Sequence, residues 1–306
     1  MSFFRPASPL FLGAQAPSTT SSASMAILGI PYDASVTYRG GAKDGPKELR
    51  AASDSLESYC PKLEADLEDF SYLDLGDMPP PSEHLPPEVY MTAMSRELEA
   101  LPESLPLLAI GGDHLVAYPF LKRALRQHDN LQILHIDAHW DLREEWNGEA
   151  YNHASVIRLA MQHLGPKAKI HSWGIRSGLR AEYDFVRSHA QIDLLPRALE
   201  SVLSITRALL DQGDPIYLTL DVDGLDPAEL PGTGTPEPDG LRFSEIEALL
   251  KLLALTPGPG PGLIGADLVE LAPALDPSGR SNVAAARLAR GILLTLGLCA
   301  SRSSGT

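Results

Sequence analysis

The sequence predicts an α/β protein: three αβα layers around a mostly parallel central sheet. Two observations carry this. From residue 106 to 268, short apolar runs alternate with segments of helical periodicity in a regular strand-then-helix rhythm. Such alternation gives a parallel sheet, because each crossover helix must lie on one of its faces. Three of the apolar runs also empty into carboxylates and imidazoles, at the strand ends where parallel αβα sheets place their ligands.

Taken in order, Ala26-Ile27-Leu28-Gly29-Ile30 reads as the first strand. A glycine-rich loop from Arg39 to Gly45 follows, and Pro46 suits the first turn of a helix over 46–53. A strand is expected over 70–75, then prolines at 79–81 and 86–87 bracket a surface connection. Val89, Met91, Met94 and Leu98 form the apolar side of a helix over 88–101. Strand 106–110 then leads to helix 116–127, strand 131–136 to helix 153–163, and strand 168–174 to helix 180–188. Strand 191–195 precedes helix 198–211, and strand 215–220 follows. Ser244 with Glu247 has the spacing of a capping box opening helix 245–254. After a turn-rich break at 257–262 come a last strand, 263–268, and a closing helix, 281–298. No composition break divides the chain, so one domain is expected over 25–306. Residues 1–24 lack the basic and apolar regions of a signal peptide and read as an N-terminal arm or disordered lead.

A formal net charge of −15 argues against a nucleic-acid partner, which needs clustered Lys and Arg. No apolar run reaches the ~18–20 residues that cross a bilayer, so no membrane role is expected. The two cysteines, Cys60 and Cys299, lie far apart and outside any ligand pattern, as free thiols in a reducing cytoplasm would.

The chemistry centres on Ile133-Leu134-His135-Ile136-Asp137-Ala138-His139-Trp140-Asp141. Residues two apart on an extended segment point the same way, so Asp137, His139 and Asp141 can converge just past the strand. Asp221-Val222-Asp223 repeats the design after strand 215–220, and Gly111-Gly112-Asp113-His114 ends a third strand with an imidazole. Singly, each has a plain structural account: a turn cap at Asp221–Gly224, a packed histidine at His114. Together they supply six candidate ligands, His114, Asp137, His139, Asp141, Asp221 and Asp223. Four carboxylates, two imidazoles and no thiol favour a hard or borderline divalent ion such as Mn²⁺. Six ligands exceed what one ion needs, so two ions sharing bridging carboxylates are expected, with hydrolysis by an activated water as their chemistry. A calcium loop is excluded by the missing downstream acid, and a binuclear phosphatase by the missing G-D-x-x-D and G-N-H-[DE] blocks.

These blocks, in this order, closely resemble the three signatures of the ureohydrolases, a family that includes arginases and agmatinases, over roughly residues 25–298. Gly29-Ile30-Pro31-Tyr32-Asp33 and the stretch from Pro231 to Pro238 are more similar to agmatinases. The resemblance implies an arginase-like fold, two Mn²⁺ per chain and a homo-oligomer, trimer or hexamer. It implies Asp137 and Asp221 as bridging carboxylates, His114 and Asp141 on one ion, and His139 and Asp223 on the other. His153 matches the family's catalytic histidine, twelve residues past Asp141. Glu270, past the last strand, matches the acid that pairs with the substrate guanidinium. Leu115 and Ala154 depart from the family pattern, Ser and Gly respectively, and bear on pocket shape.

The expected protein is thus a cytoplasmic binuclear manganese amidinohydrolase acting on a small cationic guanidino substrate. Asp141 would orient the nucleophile and accept its proton, and His153 would pass a proton to the leaving amine. The acids Glu144, Glu145 and Glu149 lie between Asp141 and His153 and are expected to border the pocket mouth. They would favour an ammonium tail, hence agmatine, cleaved to putrescine and urea. Guanidinobutyrate, aminopropylagmatine, arginine and formiminoglutamate are the alternatives, with Arg143 available for a tail carboxylate. A catalytically silent regulatory or binding subunit is the alternative of another kind, and a zinc deacetylase of related architecture would need fewer carboxylates.

Overall fold

The computed structural model describes residues 3–17, 23–82 and 84–303. Its strands are β1 (Met25–Gly29), β2 (Tyr59–Cys60), β3 (Ala65–Asp66), β4 (Tyr72–Asp77), β5 (Leu107–Ile110), β6 (Gln132–Ile136), β7 (Lys169–Trp173), β8 (Ile192–Leu194), β9 (Ile216–Asp221) and β10 (Leu263–Val269). Its helices are α1 (Gly45–Ser53), α2 (Pro87–Glu99), α3 (Tyr118–Gln127), α4 (Val156–Met161), α5 (Arg180–Ser188), α6 (Leu199–Gln212), α7 (Phe243–Leu255) and α8 (Arg280–Ser303). Eight strands form one sheet in the order β4-β1-β5-β10-β9-β6-β7-β8. Every neighbouring pair in it is parallel. The predicted class is correct.

Strands covered on both faces read as unbroken apolar runs, and β5, β6 and β9 are buried at every position. Two cores lie against the sheet. One gathers Leu49, Leu249, Leu253, Leu288 and Ile292 from α1, α7 and α8. The other gathers Met91, Met94, Leu98, Leu121 and Leu125 from α2 and α3. By length and hydropathy the stretch Arg280–Arg302 of α8 could cross a membrane, contrary to the sequence estimate, but 67% of its apolar window is buried inside the fold. It is a core helix.

The strand order positions the site. The four central neighbours β5, β10, β9 and β6 carry, at or just past their carboxyl ends, His114, Glu270, Asp221 with Asp223, and Asp137 through Asp141. Adjacent strands stand ~4.8 Å apart, so residues more than a hundred positions apart in sequence are brought side by side.

Several elements differ from expectation. Helices predicted from 116 and 153 each begin as a 3-10 turn, His114–Ala117 and His153–Ser155, before α3 and α4. These tight turns aim two candidate histidines, His114 and His153, back at the sheet end. The small hairpin of β2 and β3 was not anticipated, its strands being two residues each. The Ser244–Glu247 capping box is absent. α7 starts at Phe243, and the Glu245 carboxylate accepts the Arg242 N–H at 2.8 Å. Glu247 instead pairs with Lys62 and Arg287.

The described part of the expected free arm is laid along the sheet edge. Phe11 is wholly buried, and Arg5 exchanges backbone hydrogen bonds with Asp77 at 2.8 and 2.7 Å. This covers an otherwise open edge strand, β4. Residues 1–2 and 18–22 of that arm lie outside the described residues. Beneath it, the buried Arg50 guanidinium meets both oxygens of Asp74 at 2.7 and 2.8 Å, and Asp77 at 2.6 Å.

Candidate active site

All eight side chains singled out by sequence meet at the carboxyl end of the sheet. His114 Nδ1 lies 2.9 Å from Asp141 Oδ2, 3.1 Å from Asp137 Oδ2 and 3.4 Å from Asp221 Oδ2. His139 Nδ1 lies 3.1 Å from Asp223 Oδ2 and 3.6 Å from Asp137 Oδ1. Asp137 thus stands between the two imidazoles. Asp221 Oδ1 accepts the Asp223 N–H at 2.8 Å, and Asp223 accepts from the Ala138 N–H at 3.1 Å and the Thr235 hydroxyl at 3.0 Å. His153 Nδ1 is 2.9 Å from Glu270 Oε1, which also accepts the His114 N–H at 2.9 Å.

Local backbone makes this convergence possible. Gly112 passes so close to the next loop that a Cβ there would stand 1.6 Å from the Tyr32 carbonyl oxygen. Only glycine fits, which explains the Gly-Gly ahead of Asp113-His114. Asp141 and Glu270 hold left-handed φ values of 50° and 64°. Strain of this kind in non-glycine residues persists where surrounding structure enforces it, commonly at functional sites.

The charges are crowded. Burial, then the charges of Asp223, Asp137 and Glu270, push the Asp221 carboxyl well above its ordinary range. Burial and the Asp137 charge also raise Asp141 and Asp223. Asp137 goes the other way: burial opposes its charge, but bonds from His114, His135 and His139 hold it well below the usual carboxylate range. On His139, burial is outweighed by Asp223 and Asp137, which push it up to about 12, and His114 is likewise raised well above the imidazole range. Acids kept from ionising by one another are what a bound cation relieves.

The donors fit a metal. His114 Nδ1 is buried and faces three carboxylate oxygens. Among the described residues, two groups have ligand atoms within 4.8 Å of one another: His114, His135 and Asp137, and Asp137, His139 and Asp223. They share Asp137. His135 was missed by sequence reading. It is wholly buried on β6, with Nε2 3.0 Å from Asp137 Oδ2 and Nδ1 3.0 Å from Ser172 Oγ. A histidine inside an apolar strand was the available signal, since a buried imidazole requires partners.

A cavity of about 280 Å³ opens onto this cluster, lined by His139, Asp141, His153, Asp221, Asp223, Thr37, Thr235, Arg143, Ala154 and Glu182 among others. The acids expected at its mouth are not on its wall. Glu144 pairs with Arg158, Glu149 accepts the Tyr151 N–H at 2.9 Å, and Glu145 is exposed. The cause is local. The Arg143 N–H bonds the Ala154 carbonyl at 3.0 Å, and residues 146–149 fold into a small turn pointing outward. Arg143, stacked 4.7 Å over the Trp146 ring, is left facing the cavity. Ala154 reaches the cavity, whereas Leu115 is packed in the core and cannot shape it. A larger cavity of about 480 Å³, at the amino ends of the strands, contains none of these groups.

The model of the family described as "Arginase family" matches residues 23–295. The chain belongs to the arginase family. It is 37% identical over 270 residues to an agmatinase of Bacillus cereus, covering 88% of this chain and 90% of the relative. It is 30% identical over 292 residues to a guanidinobutyrase of Pseudomonas aeruginosa, covering 92% and 89%. The crystal structure of agmatine ureohydrolase of Thermoplasma volcanium superposes with a TM-score of 0.79 at 27% identity, covering 93% of this chain and 92% of that one. The family resemblance and the arginase-like fold expected from sequence are both correct.

Proposed function

We propose that this arginase-family protein is a binuclear manganese amidinohydrolase that cleaves agmatine to putrescine and urea. Family membership and the agmatinase and guanidinobutyrase relatives support a hydrolase of guanidino compounds. The observation that carries the reading is the meeting of six ligand-type side chains and Glu270 at one end of the sheet, where His139, Asp141, Asp221 and Asp223 open onto a cavity, beside agmatinase-like sequence over most of the chain. Asp137 and Asp221 would bridge the ions, His114 and Asp141 would complete one shell, and His139 and Asp223 the other. Two divalent ions held so supply a water nucleophile near neutral pH.

The remaining steps belong to the chain. Glu270, fixed by the His114 N–H and by His153, would take the guanidinium. Asp141 would accept the proton of the attacking water as its oxygen bonds the guanidinium carbon. Burial lowers the His153 pKa, but the bond to Glu270 outweighs it and lifts it to about 9. With that pKa His153 would take up a proton at Nε2 in place of the Thr37 N–H that this nitrogen accepts at 3.1 Å, and donate it to the tail nitrogen as its bond to carbon breaks. The hydroxyl proton left at the urea carbon passes to the departing nitrogen, so urea and the amine in its ammonium form leave. A cytoplasmic location and a homo-oligomer are part of the same proposal.

Arg143 on the cavity wall favours a second reading, a guanidino-acid substrate whose carboxylate it would meet. Intact ligands at all six positions speak against a silent subunit. The test is urea release from Mn²⁺-loaded protein with agmatine, guanidinobutyrate, aminopropylagmatine, arginine and formiminoglutamate. Agmatine turned over with the highest kcat/KM supports the proposal; guanidinobutyrate ahead of it moves the assignment to the second reading.

A further inference from the structure

Beneath the cluster, one layer down the strands, runs a buried polar line that the mechanism above does not use. His114 Nε2 lies 2.9 Å from Thr219 Oγ1, and the Thr219 hydroxyl donates to Asp267 Oδ1 at 2.7 Å. Thr219 on β9 and Asp267 on β10 are register partners, and all three side chains are wholly buried. Polar groups in the middle of two apolar strands are costly unless they are bonded to a purpose.

The donor count decides what the line does. A hydroxyl has one proton. Thr219 gives its proton to the Asp267 oxygen, so its oxygen must accept from His114, which places the imidazole proton on Nε2. That turns Nδ1, the nitrogen a metal would take, toward the gap bounded by Asp137, Asp141 and Asp221, at 2.9 to 3.4 Å. We propose that Thr219 and Asp267 are positioning residues that fix the tautomer and ring orientation of His114 for metal binding. The inference rests on the metal reading above and adds to it residues that touch neither ion nor substrate. Partners of this kind set the basicity and aim of a ligating histidine, and their loss commonly weakens metal binding by about 10–100-fold.

The experiment is calorimetric titration of metal-free protein with Mn²⁺, with thermal melts alongside. Thr219→Val keeps the shape and removes the hydroxyl. It should weaken one of the two binding events by about 10–100-fold and leave the other near wild type. Thr219→Ser, which keeps the hydroxyl, should restore it. Asp267→Ala, which frees the Thr219 proton to turn on the imidazole, should weaken the same event, and it carries the test if Thr219→Val does not fold. Wild-type affinity at both events in the folded variants, or a serine variant as weak as the valine one, overturns the inference while the metal reading stands. Absence of Mn²⁺ binding by the wild-type protein overturns both together.

Discussion

Metal loading should expel protons, and the number follows from the site. In the metal-free protein His114 and His139 are both raised far above the ordinary imidazole range, His139 to about 12, by the carboxylates around them. At pH 7 both are imidazolium. Each must be deprotonated to bind a cation, so filling the site displaces about two protons, and Asp221, also raised, can add part of a third. The sign is fixed. The released protons make overall affinity rise with pH, about tenfold per proton per pH unit, hence about 100-fold per unit for two while the pH stays below both folded pKa values. The assay is titration of metal-free protein with Mn²⁺ at pH 7 in buffers of different ionisation enthalpy, the slope of observed heat against buffer heat giving the proton count. A slope near two, with affinity climbing accordingly between pH 6 and 7.5, is expected. A slope near zero would refute the argument, because it would mean that the histidines are already neutral among the carboxylates.

Four further outcomes follow. His153→Asn should depress turnover by about 10²–10⁴-fold with metal content unchanged. In the wild type, activity should fall as pH rises through about 9, where His153 loses its proton; a flat profile to pH 10 counts against its role as acid. Arg143→Ala should raise kcat/KM for agmatine relative to guanidinobutyrate, since the cavity loses a positive charge that repels an ammonium tail and attracts a carboxylate; an unchanged ratio removes Arg143 from tail selection. Arg50→Ala should cost about 3–5 kcal/mol in urea unfolding by stranding the buried Asp74 carboxylate, with little effect on activity of the protein that remains folded.

Much of this site was legible because its residues stand at the ends of short apolar strands, where spacing of two fixes direction. Asp137, His139, Asp141, Asp221 and Asp223 needed only that rule. What the chain did not disclose by pattern was the strand order that puts β5, β10, β9 and β6 side by side, since crossovers leave no periodic trace. Glu270 and His153 therefore came from family resemblance, not from geometry. His135, Thr219 and Asp267 each sit inside an apolar run, where spacing alone points to the core. A polar group there is informative only once its partners on neighbouring strands are known. The acidic loop was misplaced because its direction depends on the 146–149 turn and on the Arg143–Ala154 backbone bond, neither of which sequence spacing specifies.

The central claim is that two ions on these six ligands make the protein a guanidino hydrolase. It is tested most directly by metal analysis of desalted, Mn²⁺-reconstituted protein, with urea release from agmatine followed at each stage of loading. Close to two ions per chain are expected, with activity appearing as the second ion binds. Full activity at a firm stoichiometry of one ion per chain would contradict it.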